Sequence, residues 1–266
     1  MQAESQLKST EIARSLWEGN PVKGNPNKPE LSYSEFGVRH RFTGFASYSV
    51  NWSDSWTSHF GLFVEVAEGN SFVTAAGGNR YSYTYSGDVN GDGTGGNDLI
   101  YIPRNQSEIH FDPLTDPITG AVIATPDEQW TTFNAFIEQD AYLKENRGKI
   151  AERFGGVNPW WWNIDFKFMQ DFSFLLGNVR HSFQLSLDIL NVPSLLNSDW
   201  GVRQVAQISA TTPLTLQRFD SDPANTIPDG TPIFTFSGAE QTFLDSPDIQ
   251  SRWQLQLGIR YFFGVL

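Results

Sequence analysis

Asp88-Val-Asn-Gly-Asp-Gly93 sets oxygen-bearing side chains at alternate positions, Asp88, Asn90 and Asp92, and ends on a glycine. This matches the first half of an EF-hand-type calcium loop, in which ligands stand at positions one, three and five and glycine makes the sharp turn at six. Position twelve, where a bidentate acid belongs, is Leu99; Asp98 stands one place early and is the candidate substitute, with Asn97 or backbone carbonyls completing the shell. Calcium is a hard ion that takes about six to eight oxygens, so carboxylates and amides are the donors it needs. The competing interpretation is an Asp/Asn/Gly turn held by side-chain-to-backbone hydrogen bonds.

Other chemistry-bearing residues converge less. Glu138, Asp140, Glu145 and Arg147 lie around a helical stretch with no partnered histidine or nucleophile, which fits a folded loop packing its own aromatics. His40, His59, His110 and His181 are scattered, and none is read as a ligand or base. Trp160-Trp161-Trp162 has the residue type of a sugar-stacking platform, but it opens a strand and two of the three share its apolar face, which favours a membrane-interface anchor. No catalytic residues and no required cofactor are expected, with calcium the one candidate ion.

The elements that position these residues are long alternating strands. In Gln250–Phe263, Trp253, Leu255, Leu257, Ile259, Tyr261 and Phe263 share one face, and Gln254, Gln256, Gly258 and Arg260 the other; Phe262 breaks the rule. About a dozen residues is twice the usual soluble strand and matches the roughly 9–11 that cross a bilayer at a tilt. Val38–Val50 and Trp56–Ala67 alternate likewise around a short turn. Trp160–Phe172 and Arg180–Val192 make the clearest hairpin, through Gly177-Asn178. Asp165, Lys167, Asp171, Asp188 and Arg260 fall on the polar side. Ser71–Tyr85 reads as extended, Asp199–Gln207 and Thr212–Phe219 as weaker strands, and Pro232–Phe236 as a short one. A helix is expected over Pro126–Asn146 from Trp130, Phe133, Phe136, Ile137 and Ala141, and a short one near Ser9–Trp17. The connections at about 86–159 and 220–249 are long and rich in Asp, Gly and Pro.

The 266 residues contain no cysteine, which excludes disulfides and thiolate metal sites, and a net charge of −12 argues against nucleic acid. No apolar run approaches the ~18 residues of a transmembrane helix. Met1–Lys8 lacks the basic start and apolar core of a secretory signal.

Several stretches, in order, resemble TonB-dependent outer-membrane receptors, nearest to the Oar-like branch carrying a carboxypeptidase-regulatory-like domain. They are Pro29–Ser34 with Arg39-His-Arg41, Tyr85–Gly93, Asn97–Arg104, Phe136–Asp140, Asn146–Lys149, Asp199–Val202 and Ser251–Phe263. No one stretch is specific; the ordered set is. The resemblance implies an all-β fold: an antiparallel transmembrane β-barrel segment of about six long strands, with long outer loops and one short loop helix, from a barrel of about 22 strands. Residues 1–37 would be a loop or partial strand, and 38–266 the C-terminal part of the barrel. The signal peptide, TonB-contacting segment and plug of the family have no counterpart here, so the expectation is a piece of a longer receptor. Gly264-Val-Leu266 after the terminal aromatic departs from the family pattern. The implied role is energised uptake of a scarce ligand (a metal chelate, glycan or peptide) across the outer membrane, without catalysis. The implied partners are outer-membrane lipid, the barrel-assembly machinery and TonB through the plug. The alternative is a calcium-dependent extracellular β-sandwich binding module.

Overall fold

The structure, a computed structural model, describes residues 19–28, 30–69, 78–222, 224, 227–236 and 238–265. The helix expected at Ser9–Trp17 and the start of the Ser71–Tyr85 segment lie outside the described residues. Two compact units interleave along the chain. One comprises Met1–Gly37, Ser71–Asn158 and Val205–Leu244; the other comprises Val38–Asn70, Pro159–Gln204 and Asp245–Leu266.

The second unit is a single antiparallel sheet of five long strands: β1 (Arg41–Ser53), β2 (Trp56–Glu68), β3 (Trp160–Leu176), β4 (Val179–Leu190) and β5 (Gln254–Val265), hydrogen-bonded in that order. It does not close on itself, so β1 and β5 are both edges. The register aligns the alternating side chains across the whole sheet. One row reads Tyr48, Phe60, Phe168, Leu187 and Leu257; the next reads Ala46, Leu62, Phe166, Ile189 and Leu255. This apolar face is open: Leu257 and Ile259 are each 75% exposed. Aromatics crowd its two ends. Toward the hairpin turns lie Trp56, Phe172, Phe174, Phe183, Tyr261 and Phe263, many in mutual ring contact. At the far end, Trp160 stacks on His40, and Trp162 meets Trp200. At the ~3.3 Å rise of a strand, Trp162 and Phe172 are about 33 Å apart along β3. Both tight turns, 53–56 and 176–179, lie at one end of the sheet, and the chain leaves for its long connections, after Glu68 and Leu190, at the other.

Five long strands are present among the described residues, where about six were expected. Gln204–Ala206 is three residues long, and Leu214–Phe219 belongs to a four-stranded sheet in the first unit with Tyr85–Ser86, Pro232–Phe236 and His110–Phe111. That sheet is mixed, whereas the five long strands are antiparallel throughout, as expected of them. Leu214–Phe219 runs parallel to Tyr85–Ser86, and Pro232–Phe236 parallel to His110–Phe111. Chain segments distant in sequence meet here, so no hairpin dictates the direction. The fold remains mostly β.

The one-helix expectation is corrected: the expected helix is two, α1 (Pro126–Gln139) and α2 (Ala141–Glu145), and the described residues also form short helices at Val192–Leu196 and Ile208–Thr211. Thr125 and Glu128 form a capping box ahead of Pro126, which explains the abrupt start. Asp140 ends α1 in extended conformation and caps α2 by accepting the Leu143 N–H at 2.9 Å. Phe133, Phe136 and Ile137 project from one face of α1 into a core with Tyr83, Ile100, Ile102, Leu143, Leu214 and Phe236, all buried. This unit therefore carries its own hydrophobic core and shapes the loop described next.

Candidate functional site

The Asp88–Asp98 loop is built from side-chain-to-backbone bonds. Asp88 Oδ1 accepts from the N–H groups of Gly91 (2.7 Å) and Asp92 (3.2 Å), and its Oδ2 from Gly93 (2.9 Å). Asn90 Oδ1 accepts from Asp92 N at 2.8 Å, and Asp92 Oδ1 from Thr94 N at 2.9 Å. Gly91 and Gly93 hold φ of +77° and +86°, the left-handed region where side chains are disfavoured. The turn that the sequence places at position six is therefore present.

Asp98 comes onto the loop from its far end. Its Oδ2 accepts the N–H of Val89 at 2.8 Å and of Asn90 at 3.1 Å. Asn97 donates to Asp92 Oδ2 through Nδ2 at 3.4 Å, and Asn90 Nδ2 reaches the same oxygen at 3.2 Å. Asn97 and Asp98 are 2% and 4% exposed, and Oδ1 of each is buried without a hydrogen-bond partner. Burial pushes the Asp98 carboxyl above the usual carboxylate range; the two N–H groups pull it down, and the charges of Asp92 and Asp88 push it up again. Leu99, at the twelfth position, is buried and apolar and cannot be a ligand. Among the described residues, no three His, Cys, Asp or Glu side chains are gathered closely enough to form a ready-made metal cluster. Asp88, Asn90, Asp92 and Asp98 are thus brought to one loop, with their oxygens engaged mainly by backbone N–H.

The acids of the helical stretch have structural partners. Asp140, buried, accepts hydrogen bonds from Tyr83 Oη and Thr242 Oγ1, each at 2.7 Å. Glu138 pairs with Arg147 at 2.8 Å and Lys144 at 3.0 Å. Of the three tryptophans, Trp160 and Trp162 share the apolar face, whereas Trp161 turns to the other, is buried, and lies under the Arg203 guanidinium at 3.7 Å.

The polar face of the sheet carries a row that sequence reasoning missed. Ser49 Oγ lies 2.7 Å from His59 Nδ1, and His59 Nε2 lies 3.2 Å from Asp171 Oδ2. Gln184 donates to Asp171 Oδ1 at 2.9 Å, and Arg260 to Gln184 at 3.3 Å. One residue from each of the five strands takes part. Strand register was the signal, since Ser49 faces His59 and Gln184 stands between Asp171 and Arg260. The Ser49, His59 and Asp171 contacts thus form one chain of hydrogen bonds across three neighbouring strands. Above this row lies a trough of about 470 Å³ lined by Phe45, Ser47, Phe63, Lys167, Met169 and Asp188. Lys167 and Asp188 pair across it at 2.7 Å.

No known protein family, curated protein or solved structure matches this chain.

Proposed function

We propose that this chain forms the C-terminal wall of a TonB-dependent outer-membrane receptor. In this reading the five-stranded sheet is part of the barrel, with its apolar face against lipid and its polar row toward the lumen. The long connections are outer loops, and the tight turns are periplasmic. The observation that carries the reading is the apolar face: an aliphatic and phenylalanine band bracketed by aromatics at both ends. With a strand tilt near 45°, the ~33 Å between Trp162 and Phe172 projects to about 23 Å, close to the ~25 Å apolar band of outer-membrane barrels. Water is a poor solvent for such a face, and lipid a good one.

The chain would contribute wall, loops and, through its last strand, contact with the barrel-assembly machinery. The ligand, a metal chelate, glycan or peptide, would be moved by the complete receptor through TonB. The test is native size and location. An antibody to residues 126–150 should detect a band far larger than 29.9 kDa in outer-membrane fractions of the source cell. A band near 30 kDa that is soluble without detergent would overturn the reading.

The Asp/Asn/Gly loop favours one second reading, a calcium-dependent extracellular β-sandwich module. A sandwich buries the inner face of each sheet, and the open apolar face here weighs against it. Folding of the chain in buffer without detergent would decide for the sandwich.

A further inference from the structure

We propose that the Asp88–Asp98 loop is a calcium site. Its ligands are the side-chain oxygens of Asp88, Asn90 and Asp92 and the buried, unpartnered oxygens of Asn97 and Asp98. The inference concerns the first unit alone and stands or falls independently of the barrel reading.

Three observations converge. The first is the pair of orphaned oxygens. A buried polar atom without a partner costs on the order of 1–3 kcal/mol, and Oδ1 of Asn97 and Oδ1 of Asp98 are two such atoms on adjacent residues. Both side chains address the loop. The other oxygen of Asp98 binds the N–H groups of Val89 and Asn90, and the amide of Asn97 abuts Asp92. The second is charge. Three carboxylates share one hydrogen-bonded loop, Asp88 and Asp92 on the N–H groups of residues 91–94 and Asp98 on those of Val89 and Asn90, and no Lys or Arg among the described residues pairs with them. A cation is the missing partner. The third is spacing: positions one, three, five and six have the residues of a calcium loop, and the two glycines have the positive φ that brings alternate side chains to one side.

The hydrogen bonds already made do not block the site. An ionised carboxylate has about four lone-pair positions and can accept N–H groups while binding a metal. The 3.4 Å contact from Asn97 Nδ2 to Asp92 is long and uses only the amide nitrogen, so Asn97 Oδ1 stays available as a donor atom. The donor set selects the ion. All five are oxygens, two of them neutral amides, with no His or Cys, which disfavours zinc and other transition metals. A short loop with flexible donors and water fits the irregular shell of calcium better than the strict octahedron of magnesium.

Binding would also fasten a distant segment. Val22 forms a bridge with the loop end, through Val22 N to Asn97 O (2.8 Å) and Leu99 N to Val22 O (3.0 Å), and Asn90 Nδ2 donates to Gly24 O (2.9 Å). Beyond Leu99 the chain runs into the fully buried Ile100. A cation held by Asn97 and Asp98 would tie the exposed loop, the Val22 segment and the core together.

The experiment uses the full chain in detergent micelles, stripped with chelator and titrated with calcium chloride, with magnesium chloride as the control for ionic strength. Amide exchange and protease cleavage within residues 86–99 are read. Half-maximal protection is expected at about 10⁻⁴–10⁻³ M calcium, the range of extracellular modules, with magnesium at the same concentration ineffective. Asp92→Asn and Asp98→Asn should weaken calcium at least tenfold. Asp116→Asn should not, because Asp116 caps its own turn through the Ile118 and Thr119 N–H groups. Wild-type exchange and cleavage unchanged through 10 mM calcium, roughly ten times the upper end of that range, would overturn the proposal. So would equal protection by magnesium, or wild-type affinity in the Asp98→Asn variant. Failure of a variant to fold leaves the wild-type titration to decide.

Discussion

Asp98 and Asp140 are both buried carboxylates in the first unit, and they differ in how they are satisfied. Asp140 has both oxygens engaged, by Leu143 N, Tyr83 Oη and Thr242 Oγ1. Asp140→Ala would remove a helix cap and leave buried donors unpaired, so destabilisation by about 3 kcal/mol is expected, read as faster amide exchange across α1 and α2. The His59–Asp171 pair is a useful contrast. Both side chains are about one-third exposed, and Asp171→Ala should change stability by less than about 1 kcal/mol. Asp98 gives a pH signature. Its folded carboxyl holds a proton to higher pH than the ordinary value of 3.8, chiefly because it is buried. Its stabilising contribution is therefore complete below that ordinary value and is lost as pH rises through the raised one. In chelator, opening of the Val89 and Asn90 amides, corrected for intrinsic exchange, should increase as pH climbs through this window. Opening that does not change with pH there would show that Asp98 is not strained in the fold.

At the scale of elements, α1 holds the first unit together. Phe133 is fully buried and meets the rings of Phe111, Trp130 and Phe236. Phe133→Ala should cost about 3–5 kcal/mol, seen as early loss of α1 protection and increased cleavage of 101–150, while the β1–β5 ladder keeps its protection. The start of α1 was legible in the sequence because a capping box, a proline and the 130/133/136/137 spacing agree. Its break at Asp140 was not, because that residue is held by Tyr83 and Thr242, far away in sequence. The long strands were legible for a similar reason: period-two alternation is local, and tight turns fix the register of β1 with β2 and of β3 with β4. The mixed sheet was hidden because Tyr85–Ser86 and His110–Phe111 are two-residue strands whose partners lie more than a hundred residues away. For the loop, residue types and the glycine turn were readable. The hold of Asp98 on the Val89 and Asn90 amides and the orphaned oxygens of Asn97 and Asp98 required the fold.

At the scale of the whole molecule, the question is what solvent the apolar face meets, and one pair of adjacent residues can answer it. Leu257 lies in the row Tyr48–Phe60–Phe168–Leu187, near the middle of the band between the two aromatic ends, and is 75% exposed. Gln256 is its neighbour on β5 and points to the polar face, opposite Asp188. If lipid covers the apolar face, an arginine at 257 sits near the bilayer midplane and costs about 2–4 kcal/mol. An arginine at 256 meets water and the Asp188 carboxylate and costs little. In the native gene, Leu257→Arg should sharply lower the amount of folded protein in the outer membrane, whereas Gln256→Arg should leave it near the parent level. A soluble protein gives the opposite order, since a charge in place of an exposed leucine is neutral or improves solubility. The strand backbone, its length and its β-propensity are the same for both substitutions, so a difference between them reports the face alone. Equal abundance of the two variants would mean that lipid does not contact this face, and the barrel reading would fail.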